Sequence, residues 1–130
     1  MITRITNNPK TRKPKRPFYP TLYQVKHWFT VLNKKIFNNK LHHFSTIEIG
    51  RTKVDGDEVW AYIEQREEEY FLRISNKHPN FVFFLSVLGH EMVHMYQMEY
   101  IDGDSGLHNE AFYQWKDKFT KHGLVLKALM

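Results

Sequence analysis

The sequence predicts an α+β domain: an N-terminal helix, a small three-stranded and mainly antiparallel sheet, a buried helix carrying H-E-x-x-H, and a following C-terminal helix. Three observations predict it. Apolar residues recur at helical spacing from Thr21 to Phe37, they alternate at strand spacing in three short runs between Thr46 and Ser75, and they become nearly continuous from Phe81 to Tyr100. At 130 residues the chain is long enough to bury one core without cross-links. It has no cysteine, so any transition-metal site rests on its eight histidines and its carboxylates.

Residues 1–19 read as a basic flexible arm and residues 20–130 as a single domain. Pro14, Pro17 and Pro20 oppose regular structure, while Lys10, Arg12, Lys13, Lys15 and Arg16 concentrate positive charge. With a net charge of +5, this stretch is the place where the chain would neutralise phosphates, making DNA a candidate partner. The opening residues lack an apolar h-region, and the apolar run before Gly89 is far shorter than the roughly 20 residues of a membrane span. No membrane partner and a cytoplasmic location are therefore expected.

Leu22, Val25, Phe29, Leu32 and Ile36 form one stripe of the first helix, with Thr21 as its N-cap and Asn38-Asn39 as its stop. Thr46 to Thr52 alternates, Asp55-Gly56 marks a turn, and Val59 to Glu64 and Tyr70 to Ser75 complete an expected antiparallel meander. Glu67-Glu68-Glu69 reads as an exposed turn. His78-Pro79 is expected to open the long helix, with Pro79 in its first turn. Asp102 to Gly106 is a polar loop, and a last helix is expected from His108 to Lys121, stopped by Gly123. The tail from Leu124 to Met130 is apolar enough to dock on the domain.

The chemistry lies in His90-Glu91-Met92-Val93-His94. Positions i and i+4 share one helix face, so both imidazoles reach a single zinc ion at about 2.0–2.1 Å. Glu91, one position on, is turned aside from the ligand pair and is placed to act as general base. In a chain with eight histidines and nine glutamates the pattern arises by accident about 0.03 times, and its apolar helical setting lowers that further. A catalytic zinc takes three protein ligands plus water, and His108, Glu110 and His122 are the candidates for the third. His108 follows the loop, Glu110 would make a His-His-Glu set, and His122 reads as a helix cap. His27, His42, His43 and His78 lie outside ligand spacing and read as surface or structural histidines. Tyr96 and Tyr113 are candidate oxyanion donors, with core packing the favoured role.

The segments Val87 to Tyr96 and Gly106 to Phe112 resemble the SprT-like (Spartan-type) zinc metalloprotease domain. In that family a Gly-His segment with a phenylalanine four residues on follows the H-E-x-x-H helix after a variable loop, and His108 and Phe112 match it. The resemblance covers about residues 20–123, including Phe37-Asn38 and Leu41 after the first helix. It implies a zincin-like fold, His90, His94 and His108 as the Zn2+ ligands, and Glu91 as the catalytic base of peptide-bond hydrolysis. The substrate would be a protein or peptide, with DNA-associated proteins as the class the family suggests, and a viral source is compatible with it. Leu107 stands between Gly106 and His108, Asn109 occupies the family's usual glycine, and the cysteine-based ribbon of bacterial relatives has no counterpart. The alternative expectation is a zinc-stabilised structural or nucleic-acid-binding domain without catalysis.

Overall fold

The structure, a computed structural model, describes residues 16–104 and 106–127. The first helix, α1 (Leu22–Phe37), begins where the sequence places it. Thr21 Oγ1 accepts from Gln24 N–H at 3.2 Å, and the Gln24 side chain accepts from Thr21 N–H at 2.9 Å. This reciprocal capping box satisfies two donors that a helix start leaves without partners. At the other end Asn38, in the left-handed region, turns the chain out of the helix. The buried stripe is Val25, Phe29, Leu32 and Ile36, joined by Phe37. Leu22, expected in that stripe, is instead 46% exposed, although Val25 in the same turn is fully buried.

Strand β1 (Thr46–Ile49), strand β4 (Ala61–Arg66) and strand β5 (Glu69–Ile74) form one sheet in the order β1-β5-β4. Strands β4 and β5 are antiparallel through the turn at Glu67-Glu68, but β1 lies parallel to β5, with Thr46 opposite Phe71 and Ile49 opposite Ile74. The expected meander is thereby corrected to a mixed sheet. Asp55-Gly56 does not join neighbouring strands of this sheet. It closes a separate two-stranded ribbon, β2 (Lys53–Val54) with β3 (Asp57–Glu58), and β4 then pairs on the far side of β5. Both pairings other than β1–β5 are antiparallel, so the sheets remain mostly antiparallel.

The long helix α2 (Phe81–Tyr100) packs against β4, β5 and α1. It starts later than expected. Asn80, extended, caps it by accepting from Phe83 N–H at 2.9 Å. Pro79 is therefore outside the helix, and His78 is held before it by paired backbone bonds with Phe18. Phe18, within the segment read as arm, also sets its ring edge-on to Phe81 and tilted against Phe84. Arg16 is exposed, and Lys10, Arg12, Lys13 and Lys15 lie outside the described residues.

The expected last helix is two short ones, α3 (Glu110–Tyr113) and α4 (Lys116–Lys121). A tightened turn, Trp115 N–H to Phe112 C=O, separates them and seats the Trp115 ring against Phe37 and Tyr96. The start also moves, since Asn109 caps α3 and leaves His108 in the preceding irregular stretch. Beyond Gly123 the tail docks as expected: Leu124 and Leu126 are buried, and Val125 N–H donates to Ser86 Oγ on α2. Gly89 permits a close helix contact, because a Cβ there would lie 2.7 Å from the Phe119 ring of α4. Among the described residues no helix is long and apolar enough to cross a membrane.

Candidate metal centre

Near the middle of α2, His90 and His94 project from one face with their Nε2 atoms 3.0 Å apart. His108 approaches from the segment before α3, its Nε2 at 3.3 Å from that of His90. The ligand nitrogens of all three lie within 4.8 Å of one another. Four ligands around zinc at about 2.0–2.1 Å make tetrahedral edges of about 3.3–3.4 Å; the His90–His108 separation of 3.3 Å matches such an edge and the His90–His94 separation of 3.0 Å is slightly shorter. The three rings also share a floor. Phe112, fully buried, lies 4.9, 5.0 and 4.8 Å from the ring centroids of His90, His94 and His108. The side chains thus converge in space although 18 residues separate His90 from His108.

Burial sets the protonation of the group. It pushes His90 down to about 3, helped by the neighbouring His94 and His108 and weakly opposed by the Lys127 backbone. His94 is lowered for the same first reason, against the hydrogen bond it makes to Gln97. Both rings are therefore neutral at neutral pH, the state in which imidazole ligates a metal. His90 and His94 are buried while His108 is exposed, which leaves one side of the cluster facing solvent. That asymmetry suits a centre with an open coordination position.

Glu91 is 5% exposed, and burial pushes its carboxyl up to about 8. Its Oε2 is buried without a hydrogen-bond partner, and the Nδ1 of His90, on the side of the ring away from the cluster, has the Lys127 backbone as its one neighbouring polar group. An orphaned carboxyl oxygen is costly in a domain core unless a further group satisfies it. The donor set fits a divalent metal: neutral nitrogen ligands of borderline softness, and a carboxyl whose proton a nearby cation would displace.

Comparison of the chain with protein-family models, with curated proteins and with solved structures finds no match. The assignment of roles therefore rests on geometry.

The rival third ligands are placed elsewhere. Glu110 opens α3, is exposed, and does not join the cluster. His122 ends α4, its backbone N–H donating to Lys118 and Phe119 carbonyls, as its expected capping position implies. Of the remaining histidines, His27 stacks on Tyr23, His42 pairs with Glu99, and His43 lies against Phe29. His78 is fully buried, with Nε2 against Ser75 C=O at 2.8 Å. The Tyr96 ring packs among Phe37, Tyr100 and Trp115, whereas Tyr113 is 42% exposed and set edge-on to Phe112.

The sequence reading missed Gln97, a fully buried amide three residues after His94, together with its partners Asp104 and Asn109. The i, i+3 spacing from His94 was the available signal. The loop is also better ordered by bonds than its composition implies. Asp104 accepts from the Gly106 and Leu107 backbone and from the side chains of Gln97 and Asn109. Those bonds hold its carboxyl below the usual range, against the upward push of burial. Gly106, at φ +92°, takes a conformation that side chains rarely adopt and brings the backbone over the His94 ring.

Proposed function

We propose that this chain is a zinc-dependent metallopeptidase of the zincin-like, SprT-like kind, with His90, His94 and His108 as the metal ligands and Glu91 as general base. The observation that carries the reading is the convergence of three histidine nitrogens within 4.8 Å of one another, two of them on the same helix as a buried glutamate. A zinc ion held there would supply Lewis acidity to water and to a peptide carbonyl. The protein's own part is distinct. The neutral imidazoles bind through nitrogen, Phe112 fixes their rings, and the exposed His108 side leaves room for substrate.

Glu91 takes a proton from the attacking water onto its carboxylate and returns it to the departing amine. A bound cation would favour the ionised carboxylate that the first half of that cycle needs. Strand β4 packs on α2 and pairs with β5 along one edge. Its other edge offers backbone groups to an extended peptide, which favours affinity with little sequence preference. The DNA-associated part of the proposal rests on Lys10, Arg12, Lys13, Lys15 and Arg16, and predicts cleavage of DNA-bound protein that weakens as salt rises.

The test is cleavage of an unfolded protein by zinc-loaded wild type and by Glu91→Gln. Turnover by wild type that chelator abolishes and zinc restores, absent from a zinc-replete Glu91→Gln protein, is the expected result. Cleavage surviving Glu91→Gln refutes the assigned base. Zinc uptake that raises stability while no protein is cut would leave a zinc-stabilised structural domain instead.

A further inference from the structure

We infer that Gln97 is a positioning residue that orients two of the three metal ligands at once; the inference rests on the metal-centre reading. Gln97 is 0% exposed and lies on α2, three residues beyond His94. Its Nε2 meets three oxygens: Leu107 C=O at 2.7 Å, Asn109 Oδ1 at 3.0 Å and Asp104 Oδ2 at 3.2 Å. Neither the carbonyl nor the carboxylate can donate, so this end of the amide is the NH2 group. Asn109 cannot reverse that, because its Oδ1 also accepts from Phe112 N–H while its Nδ2 donates to Asp104.

The oxygen of Gln97 must then face the other way, toward His94 Nδ1 at 2.8 Å. An amide oxygen only accepts, so the His94 proton sits on Nδ1 and the lone pair is left on Nε2. That is the nitrogen pointing at His90. Gln97 thereby selects the tautomer in which His94 presents a bare Nε2 to a metal.

The same amide binds both residues flanking His108, the Leu107 carbonyl before it and the Asn109 side chain after it. The segment carrying the third ligand is thus tied to the helix carrying the first two. Leu107 and Asn109, where the chain departs from the family pattern it resembles, are the residues that make this tie. Partners in the shell behind metal ligands fix ring orientation and are worth about 10- to 100-fold in metal affinity.

The experiment uses the full chain with zinc as the probe. Imidazole nitrogen NMR on metal-free wild type at neutral pH reads the position of the His94 proton. Competition with a chromophoric chelator then reads zinc affinity for wild type, Gln97→Met and Gln97→Ala. Methionine preserves the side-chain length and volume while removing the amide. The expected result is an Nδ1–H tautomer at His94 in wild type. It is lost in a folded Gln97→Met protein that still binds one zinc, about 10- to 100-fold more weakly. A proton on His94 Nε2 in wild type overturns the inference, as does unchanged zinc affinity in either folded variant. If wild type binds no zinc, the metal-centre reading fails, and the tautomer still decides whether Gln97 sets the His94 proton. If neither variant folds, the wild-type tautomer decides in the same way.

Discussion

Replacing Glu91 with glutamine should change how the metal-free protein responds to pH, by an amount that follows from its burial. The carboxyl moves from an ordinary 4.5 to about 8 in the folded chain. Between those values the folded state holds a proton that the unfolded state releases, so stability falls as pH rises. At about 1.4 kcal/mol per pKa unit, the full shift corresponds to about 5 kcal/mol above both values. Between pH 5 and pH 8 the loss works out to about 3.5 kcal/mol, since ionisation is only half complete at the upper end. His90 acts in the opposite direction: its neutral folded form is favoured above its ordinary 6.5, and stability drains away as pH falls toward about 3. His94 and His78, also lowered by burial, add to that limb, so metal-free wild type should be most stable at about pH 6.5. Glu91→Gln keeps the histidine limb but loses the decline at higher pH. Urea unfolding followed by tryptophan fluorescence, in chelator from pH 5 to pH 8, measures both profiles. Parallel profiles for the two proteins would refute the idea that Glu91 is buried and protonated near neutrality.

Two further changes test the frame around the centre. Gly89→Ala brings a Cβ within 2.7 and 2.9 Å of Phe119 ring atoms, and overpacking of that kind costs about 1–3 kcal/mol. Helix propensity alone favours alanine by about 1 kcal/mol, so a lower urea midpoint means that packing wins, and an unchanged or higher one contradicts the account. Asn33, buried on α1, donates to Leu41 C=O at 3.0 Å and accepts from Leu41 N–H at 3.1 Å. Asn33→Leu strands both backbone groups and should cost about 2–4 kcal/mol by the same unfolding assay, whereas a loss below about 0.5 kcal/mol would mean that water replaces them.

What the sequence made legible was local. The capping box at Thr21 and Gln24 and the left-handed stop at Asn38 act within a few residues, so their chemistry can be read off neighbours. The spacing of His90 and His94 is equally local, because a helix converts four residues into one shared face. Strand direction was not legible. Whether β1 pairs with β4 or β5 depends on contacts between distant residues such as Thr46 and Phe71, which turn residues do not specify. The Asp55-Gly56 signal was sound as a turn but belonged to a ribbon of its own.

The place of His108 beside the other two histidines was legible by resemblance, not by spacing. His108 reaches His90 because Gly106 takes a positive φ and because Gln97 and Asp104 gather the loop, and these are tertiary effects. The split of the last helix has the same origin: the apolar pattern through Phe112, Trp115 and Phe119 suits one helix, but seating Trp115 against Phe37 needs a tighter turn. Phe18 was read as arm because prolines and charge surround it. Its ring is nevertheless held between Phe81 and Phe84, and single aromatic anchors leave little mark on composition.

The most direct test of the metal centre is the metal content of protein purified without added metal, compared among wild type, His108→Ala and Glu110→Ala. Near one zinc per chain in wild type and in Glu110→Ala, lost in His108→Ala, is the predicted result. Loss of zinc in Glu110→Ala with retention in His108→Ala would contradict the three-histidine centre. No zinc in wild type, even after zinc is supplied, would contradict a metal site altogether.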